Sequence, residues 1–301
     1  MRRFFVILLM SVAAISVARA QNTPHPPPNL LLIVREEIKP GEMPAHALEA
    51  MRFVQVQKKA NARLPENMRD GRLAMTPVAG NENEVSYLWA YDSFADFEAK
   101  HREADKLSTG VMRADFEQLP DARLHASQRD TLASYRPDLS YNVGGTDVAT
   151  ARFMSMQVIR LKPGHEDEYW AARKKILHAA FDKSGYKGSL AVFQVRGGMP
   201  GPAYIIFRPM KSLGDLDTNA TVMRDAMAAN ADEWNKMADR SVVLNETTIY
   251  AFDPRLSVVS PDFAAHDTAS PSFWNPTTTG QPANASSESG RKAVARRGVK
   301  Q

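Results

Sequence analysis

The stretch LKPGHEDE at Leu161–Glu168 decides the fold, because IKPGE at Ile38–Glu42 says nearly the same thing 123 residues earlier. In each, a run rich in Leu, Ile, Met and Val stops at Lys-Pro-Gly. Pro40 and Pro163 have no N–H for a strand ladder, and Gly41 and Gly164 allow backbone angles that other residues resist. The runs NLLLIVREEI (29–38) and RFMSMQVIRL (152–161) therefore read as strands, and the residues after each stop have helical spacing. After Gly164, Glu166, Asp167 and Glu168 suit a helix start, and Tyr169, Ala172, Ile176, Leu177 and Ala180 form one stripe. After Gly41, Ala47, Ala50, Met51 and Val54 do the same, with Pro44 tolerable in the first turn.

The parallel continues along the chain. GRLAMTPV (71–78) and VSYLWAYD (85–92) correspond to SLAVFQVR (189–196) and AYIIFRP (203–209), each pair joined by a Gly-containing turn. SFADFE (93–98) echoes SLGDLD (212–217), each opening a helix with a Ser that suits the cap. TLASYRPDLSY (131–141) matches TIYAFDPRLSV (248–258), with Pro137 and Pro254 in register. The order is β-α-β-β-α-β twice, the ferredoxin-like arrangement, with residues 29–141 as the first module, 142–151 as linker and 152–259 as the second module. The expected fold class is α+β.

Both ends read differently. Arg2 and Arg3, an apolar run from Phe4 to Val17 and Ala18-Arg19-Ala20 make residues 1–20 a secretory signal, so the protein is expected to be exported, periplasmic or extracellular. Apart from that leader no segment is long and apolar enough to span a bilayer. Residues 21–28 form a Pro-rich linker, and residues 260–301 a disordered basic tail. The total charge of +4 is unevenly spread: three arginines leave with the leader, and the tail from Thr268 carries a net +4. The body is thus acidic at −3, which argues against nucleic acid as a partner. With 0 Cys, disulfides, thiolate metal sites and a cysteine nucleophile are excluded.

From strand-Lys-Pro-Gly-helix at both starts and the duplicated order of elements, residues 29–258 resemble the dimeric α/β-barrel superfamily. Its members include NIPSNAP-like and antibiotic-biosynthesis-monooxygenase-like proteins. The resemblance implies that each module's bare sheet face needs a partner sheet. Here the second module supplies it within one polypeptide, and further oligomerisation stays open. It also implies an interior that takes small molecules.

Both faces of the strands should then be buried, which blurs alternation. Val85, Tyr87, Trp89 and Tyr91 share one face, and Tyr204, Ile206 and Arg208 align with it. This larger, partly polar face is the expected interior, together with Leu31, Ile33, Arg35 and Glu37 on the first strand and Met154, Met156, Val158 and Arg160 on its counterpart. The ligand-binding candidates are accordingly Arg35, Glu37, Tyr87, Trp89, Arg160, Tyr204 and Arg208, although each also reads as core or as a strand-end ion pair. Of the seven histidines, His178, in KKILHAAF, is the best placed as ligand or base, and a lone His beside a helix core is first a structural residue. No cofactor is expected. Haem enters only because relatives of this barrel bind it through His. No metal motif, nucleophile elbow, P-loop or dinucleotide fingerprint is present. The leading reading is an exported tandem barrel that binds a small, partly apolar molecule. The alternatives are a cofactor-independent monooxygenase or related enzyme, implied only by the superfamily, and a non-catalytic interaction module. The residues do not decide whether the protein is an enzyme.

Overall fold

Both Lys-Pro-Gly stops hold in a computed structural model that describes residues 24–119 and 123–276. Strands β1 (Leu30–Ile38) and β5 (Phe153–Leu161) end at them, and Gly41 and Gly164 share a left-handed φ of 85°. The expected leader, and the tail beyond residue 276, lie outside the described residues.

In the first module, α1 (Met43–Asn61) starts with Pro44 in its opening turn and buries Ala50 and Val54. Then come β2 (Arg72–Ala79), β3 (Glu84–Tyr91), α2 (Phe94–Thr109), the short α3 (Arg113–Glu117) and β4 (His125–Tyr135). In the second module the helix after Gly164 is broken into α4 (Glu166–Arg173), a π-helical turn at Lys174–His178, and α5 (Ala179–Ser184). The wider turn rotates the residues beyond it, so the stripe runs through Tyr169, Trp170, Ile176 and Leu177, with Ala172 packed against it, and continues to Phe181 instead of Ala180. β6 (Ala191–Gly197), β7 (Ala203–Met210), α6 (Gly214–Ser241) and β8 (Val242–Phe252) complete the repeat.

The repeat extends to its caps. Asp96 accepts the Asp92 N–H at 3.0 Å, and its counterpart Asp215 accepts the Lys211 N–H at 2.9 Å. The expected Ser caps diverge: Ser93 Oγ accepts the Asp96 N–H, whereas α6 has no side-chain cap and Ser212 bonds the Asp215 carboxylate instead. The closing strands β4 and β8 begin several residues before the expected segments and end ahead of Pro137 and Pro254, where the ladder loses its donor.

Each module has the strand order fourth-first-third-second: β4-β1-β3-β2 and β8-β5-β7-β6. The two sheets also join edge to edge. β2 pairs antiparallel with β8 (Met75 opposite Phe252) and β4 with β6 (Tyr135 opposite Phe193), closing an eight-stranded barrel. Closure removes the sheet edges that would otherwise present unpaired backbone groups.

The interior is filled by Leu31, Ile33, Met75, Leu88, Met154, Met156, Phe193, Ile205, Phe207 and Tyr250. Outside, α1 covers Val34, Ala74, Val85 and Tyr87, and the helices of the second module cover Ile159, Val192, Tyr204 and Ile206. At ~1.5–3 kcal/mol per fully buried large apolar side chain, all three layers are needed to hold the fold.

Two expectations are overturned. On β3 and β7 the assignment of faces is reversed: Leu88, Ile205 and Phe207 point into the barrel, while Tyr87, Trp89 and Tyr204 lie under helices. With both faces apolar, alternation separates the two sets without saying which is inside. The small Ala50 of α1 leaves room for Tyr87, and Arg72 lies over the rings of Phe53 and Tyr87 at 4.3 and 4.4 Å. The second correction concerns residues 260–276, expected to begin the disordered tail. They form α7 (Pro261–Ala265), capped by Ser260, and a strap that returns to the barrel. Trp274 is 3% exposed, donates Nε1–H to the Ala149 carbonyl at 2.7 Å and packs edge-on against Phe252, Phe263 and Phe273. Among the described residues no helix is long and apolar enough to cross a membrane.

Candidate functional site

The barrel interior has two unlike ends. At the end reached by the C-terminal halves of β1 and β5, polar side chains converge. Arg35 donates to Glu84 through Nε (3.1 Å) and Nη2 (2.8 Å), and Tyr250 Oη donates to the same carboxylate at 2.5 Å. Tyr250 belongs to the second module and Arg35 and Glu84 to the first, so this network crosses the module boundary. Burial pushes the Tyr250 hydroxyl well above its ordinary value, with the Arg35 charge opposing the shift, so the hydroxyl remains a donor. Glu37 accepts from Ser127 at 2.9 Å, and with Arg129, Asn81 and Glu246 these groups border a small polar pocket of about 200 Å³.

At the opposite end, the side chains at the N-terminal halves of β1 and β5 stop short of filling the barrel. A chamber of about 570 Å³ remains, walled by Leu31, Leu73, Leu88, Met154, Phe193 and Phe207. Its roof comes from three segments outside the strands: Pro26–Pro28, the inter-module stretch Val143–Val148, and Val258–Phe263. Lys58, Arg69 and Asp70 lie on its rim. Burial raises the Asp70 carboxyl above its ordinary value, with Lys100 and His101 opposing the shift.

Of the seven residues expected to bind ligand, none lines this chamber. Arg35 and Glu37 face the interior as expected but gather at the polar end. Arg160 continues the inward face of Met154, Met156 and Val158 toward that same end. Tyr87 and Trp89 pack under α1, and Tyr204 packs against Trp170 at 5.0 Å. Arg208 lies on the outward face of β7, its guanidinium lowered from its ordinary pKa by burial and by Arg173, with Tyr186 opposing.

His178 lies in the outer layer, its ring 5.1 Å from Tyr141. Burial, then the charges of Arg173 and Lys174, lower its pKa to about 4. It does not reach the chamber, whose lining includes one imidazole, His25, at the rim and engaged with Asp147. Among the described residues, the barrel wall therefore offers no imidazole as an axial ligand to a haem.

Four other histidines enter two clusters. His25, Asp147 and His266 meet above the chamber, and Glu36, His46 and His125 meet beneath α1. His46, in the first turn of α1, is 0% exposed and bonds Glu36 at 2.9 Å. Neither cluster has a sequence signal, because its members are distant in the chain.

No family model matches the chain, and no curated protein matches it. Among solved structures it is similar to a candidate monooxygenase from Lactobacillus acidophilus at 7% identity, covering 74% of this chain and 93% of that one, with a TM-score of 0.46. A haem-binding protein from Thermus thermophilus is similar at 10% identity, over 76% of this chain and 93% of that one, with a TM-score of 0.43. An uncharacterized NIPSNAP domain protein from Burkholderia xenovorans shares 16% identity over 34% of this chain and 90% of its own, with a TM-score of 0.26. Likeness at this level carries no function across. The strand order and the closure of the ring give the assignment: the chain has the architecture of the dimeric α/β-barrel superfamily, with both ferredoxin-like modules in a single polypeptide.

Proposed function

We propose that the protein binds a small molecule with an apolar body and a polar end in the chamber beneath the roof segments. The observation that carries this is the chamber itself. Its volume of about 570 Å³ falls within the ~300–1,000 Å³ of small-molecule sites, and its lining is mostly apolar, with Lys58, Glu66, Arg69, Asp70 and Arg72 as charged residues. A well-packed eight-stranded barrel fills its interior with side chains. Here the Arg35–Glu84–Tyr250 network leaves only a pocket of about 200 Å³ at the polar end, and the larger space lies at the apolar end.

The chamber favours ligand binding over the alternative of a non-catalytic interaction module. Catalysis gains no support from the lining, where the Ser189 hydroxyl is already engaged, donating to the Asn142 carbonyl and accepting the Thr146 N–H. The leader-like residues 1–20 support placing this binding beyond the inner membrane. N-terminal sequencing of the secreted protein, with cleavage after Ala20, checks that point.

The test is a titration with the apolar dye 1-anilinonaphthalene-8-sulfonate, alongside mass spectrometry of organic extracts of the purified protein. Leu88→Trp projects an indole into the chamber and should weaken dye binding at least tenfold while far-UV circular dichroism is retained. Equal affinity in a folded Leu88→Trp variant would remove the chamber as the site.

A further inference from the structure

We propose that His25, Asp147 and His266 form a binding site for a first-row divalent cation of the zinc class, pinning together the three segments that roof the chamber. His25 precedes the Pro26–Pro28 stretch, Asp147 lies in the inter-module linker, and His266 follows α7. Each thus comes from a different roof segment. The proposal does not depend on what occupies the chamber.

The geometry suits such an ion before it arrives. In a tetrahedral zinc site with bonds of ~2.0–2.1 Å, ligand atoms lie about 3.3 Å apart. His25 Nδ1 is 3.4 Å from Asp147 Oδ1, His266 Nδ1 is 2.8 Å from Asp147 Oδ2, and the three ligand atoms all lie within 4.8 Å of one another. The carboxylate is held in place: Asp147 Oδ1 accepts the Ala149 N–H at 3.0 Å and caps the 3₁₀ turn Val148–Thr150. The two imidazole centroids lie 3.8 Å apart with the rings tilted by 38°, and His25 also packs on Phe263 at 5.1 Å, which restricts their orientation.

Binding through Nδ1 requires that nitrogen to be unprotonated, leaving the ring proton on Nε2. His25 Nε2 faces the exposed Asp262 carboxylate at 3.6 Å, beyond hydrogen-bond distance, so Asp262 is a nearby negative charge and not a bonded outer-shell partner. Two imidazoles and one carboxylate favour zinc, nickel, copper or ferrous iron over magnesium and calcium, which prefer oxygen ligands. With side-chain exposures of 24%, 11% and 14% for His25, Asp147 and His266, the site is reachable from solvent and leaves room for a fourth, non-protein ligand. The Glu36–His46–His125 cluster serves as the comparison, because it is more deeply buried and lies away from the roof.

Isothermal titration of the full chain with Zn²⁺ tests the proposal. Wild type should take up one equivalent at this site, with Mg²⁺ and Ca²⁺ giving no binding there. Because loss of an outer-shell partner alone costs ~10–100-fold in affinity, His266→Gln and His25→Ala, which remove direct ligands, should each weaken binding by about 100-fold or more. Should these variants misfold, Co²⁺ added to wild type should broaden the imidazole proton signals of His25 and His266 before those of His46 and His125. Undiminished Zn²⁺ binding in folded His266→Gln, broadening confined to His46 and His125, or no uptake by wild type would overturn the site.

Discussion

Replacing Tyr250 with Phe removes one oxygen atom from the middle of the barrel and changes little else. Tyr250 is 0% exposed, and its hydroxyl donates to Glu84 Oε1 at 2.5 Å while Arg35 holds both oxygens of the same carboxylate. A hydrogen bond to a charged acceptor contributes about 1.5–3 kcal/mol, and no other described hydrogen bond links these three residues across the module boundary, so Tyr250→Phe should lower stability by that amount. Glu84→Gln keeps the shape and an acceptor but removes the charge opposite Arg35. Breaking a buried pair costs about 3–5 kcal/mol; because the Arg35 side chain is 21% exposed, the lower end is expected. Both changes act on one carboxylate, so the double variant should lose less than the two singles together, with a coupling of about 1 kcal/mol or more. Urea unfolding of the four proteins at pH 7, with constant slope, measures all of these. A Tyr250→Phe loss below about 0.5 kcal/mol, or additive effects, would refute the view that this network joins the modules.

Trp274→Ala should cost about 3–5 kcal/mol in the same assay, the range for removing a buried aromatic, because the strap residue packs on Phe252 and satisfies the Ala149 carbonyl. A loss within about 0.5 kcal/mol would return residues 260–276 to the tail. His178 is held neutral in the folded protein, its pKa lowered from 6.5 to about 4, so as pH falls through this window the unfolded chain takes up a proton that the folded one refuses. Stability from this group is therefore fully present above pH ~6.5 and lost toward pH ~4. The shift corresponds to about 3 kcal/mol at most, and about 1–2 once solvent screening of a half-buried ring is discounted. His178→Gln should flatten that part of the stability–pH curve by the same amount, and an unchanged curve would show that His178 titrates normally.

Much of the architecture was legible because local chemistry repeats: Lys-Pro-Gly at both strand ends, Asp96 and Asp215 at matching helix starts, Pro137 and Pro254 after the closing strands. The hidden part depends on which side of a sheet a side chain faces. Tyr87 and Leu88 are both apolar neighbours, and nothing local says that the smaller one fronts the chamber. Composition misled at residues 260–276, where Pro, Ser and Asp outweighed the one useful signal, the aromatic cluster Phe263, Phe273 and Trp274. The His25–Asp147–His266 cluster joins residues 122 and 119 positions apart, a proximity that only the closed ring and its roof create. Among the candidate ligand residues, Arg35 and Glu37 face inward as read, but at the polar end, where they border the small pocket and not the apolar chamber.

The chamber is tested most directly by methyl NMR of protein labelled at methionine and titrated with 1-anilinonaphthalene-8-sulfonate. Met154 lines the chamber, whereas Met237 is buried among the outer helices of the second module. Occupancy of the chamber shifts the Met154 methyl signal in step with binding and leaves Met237 in place. Saturable binding with an unmoved Met154 signal would contradict it.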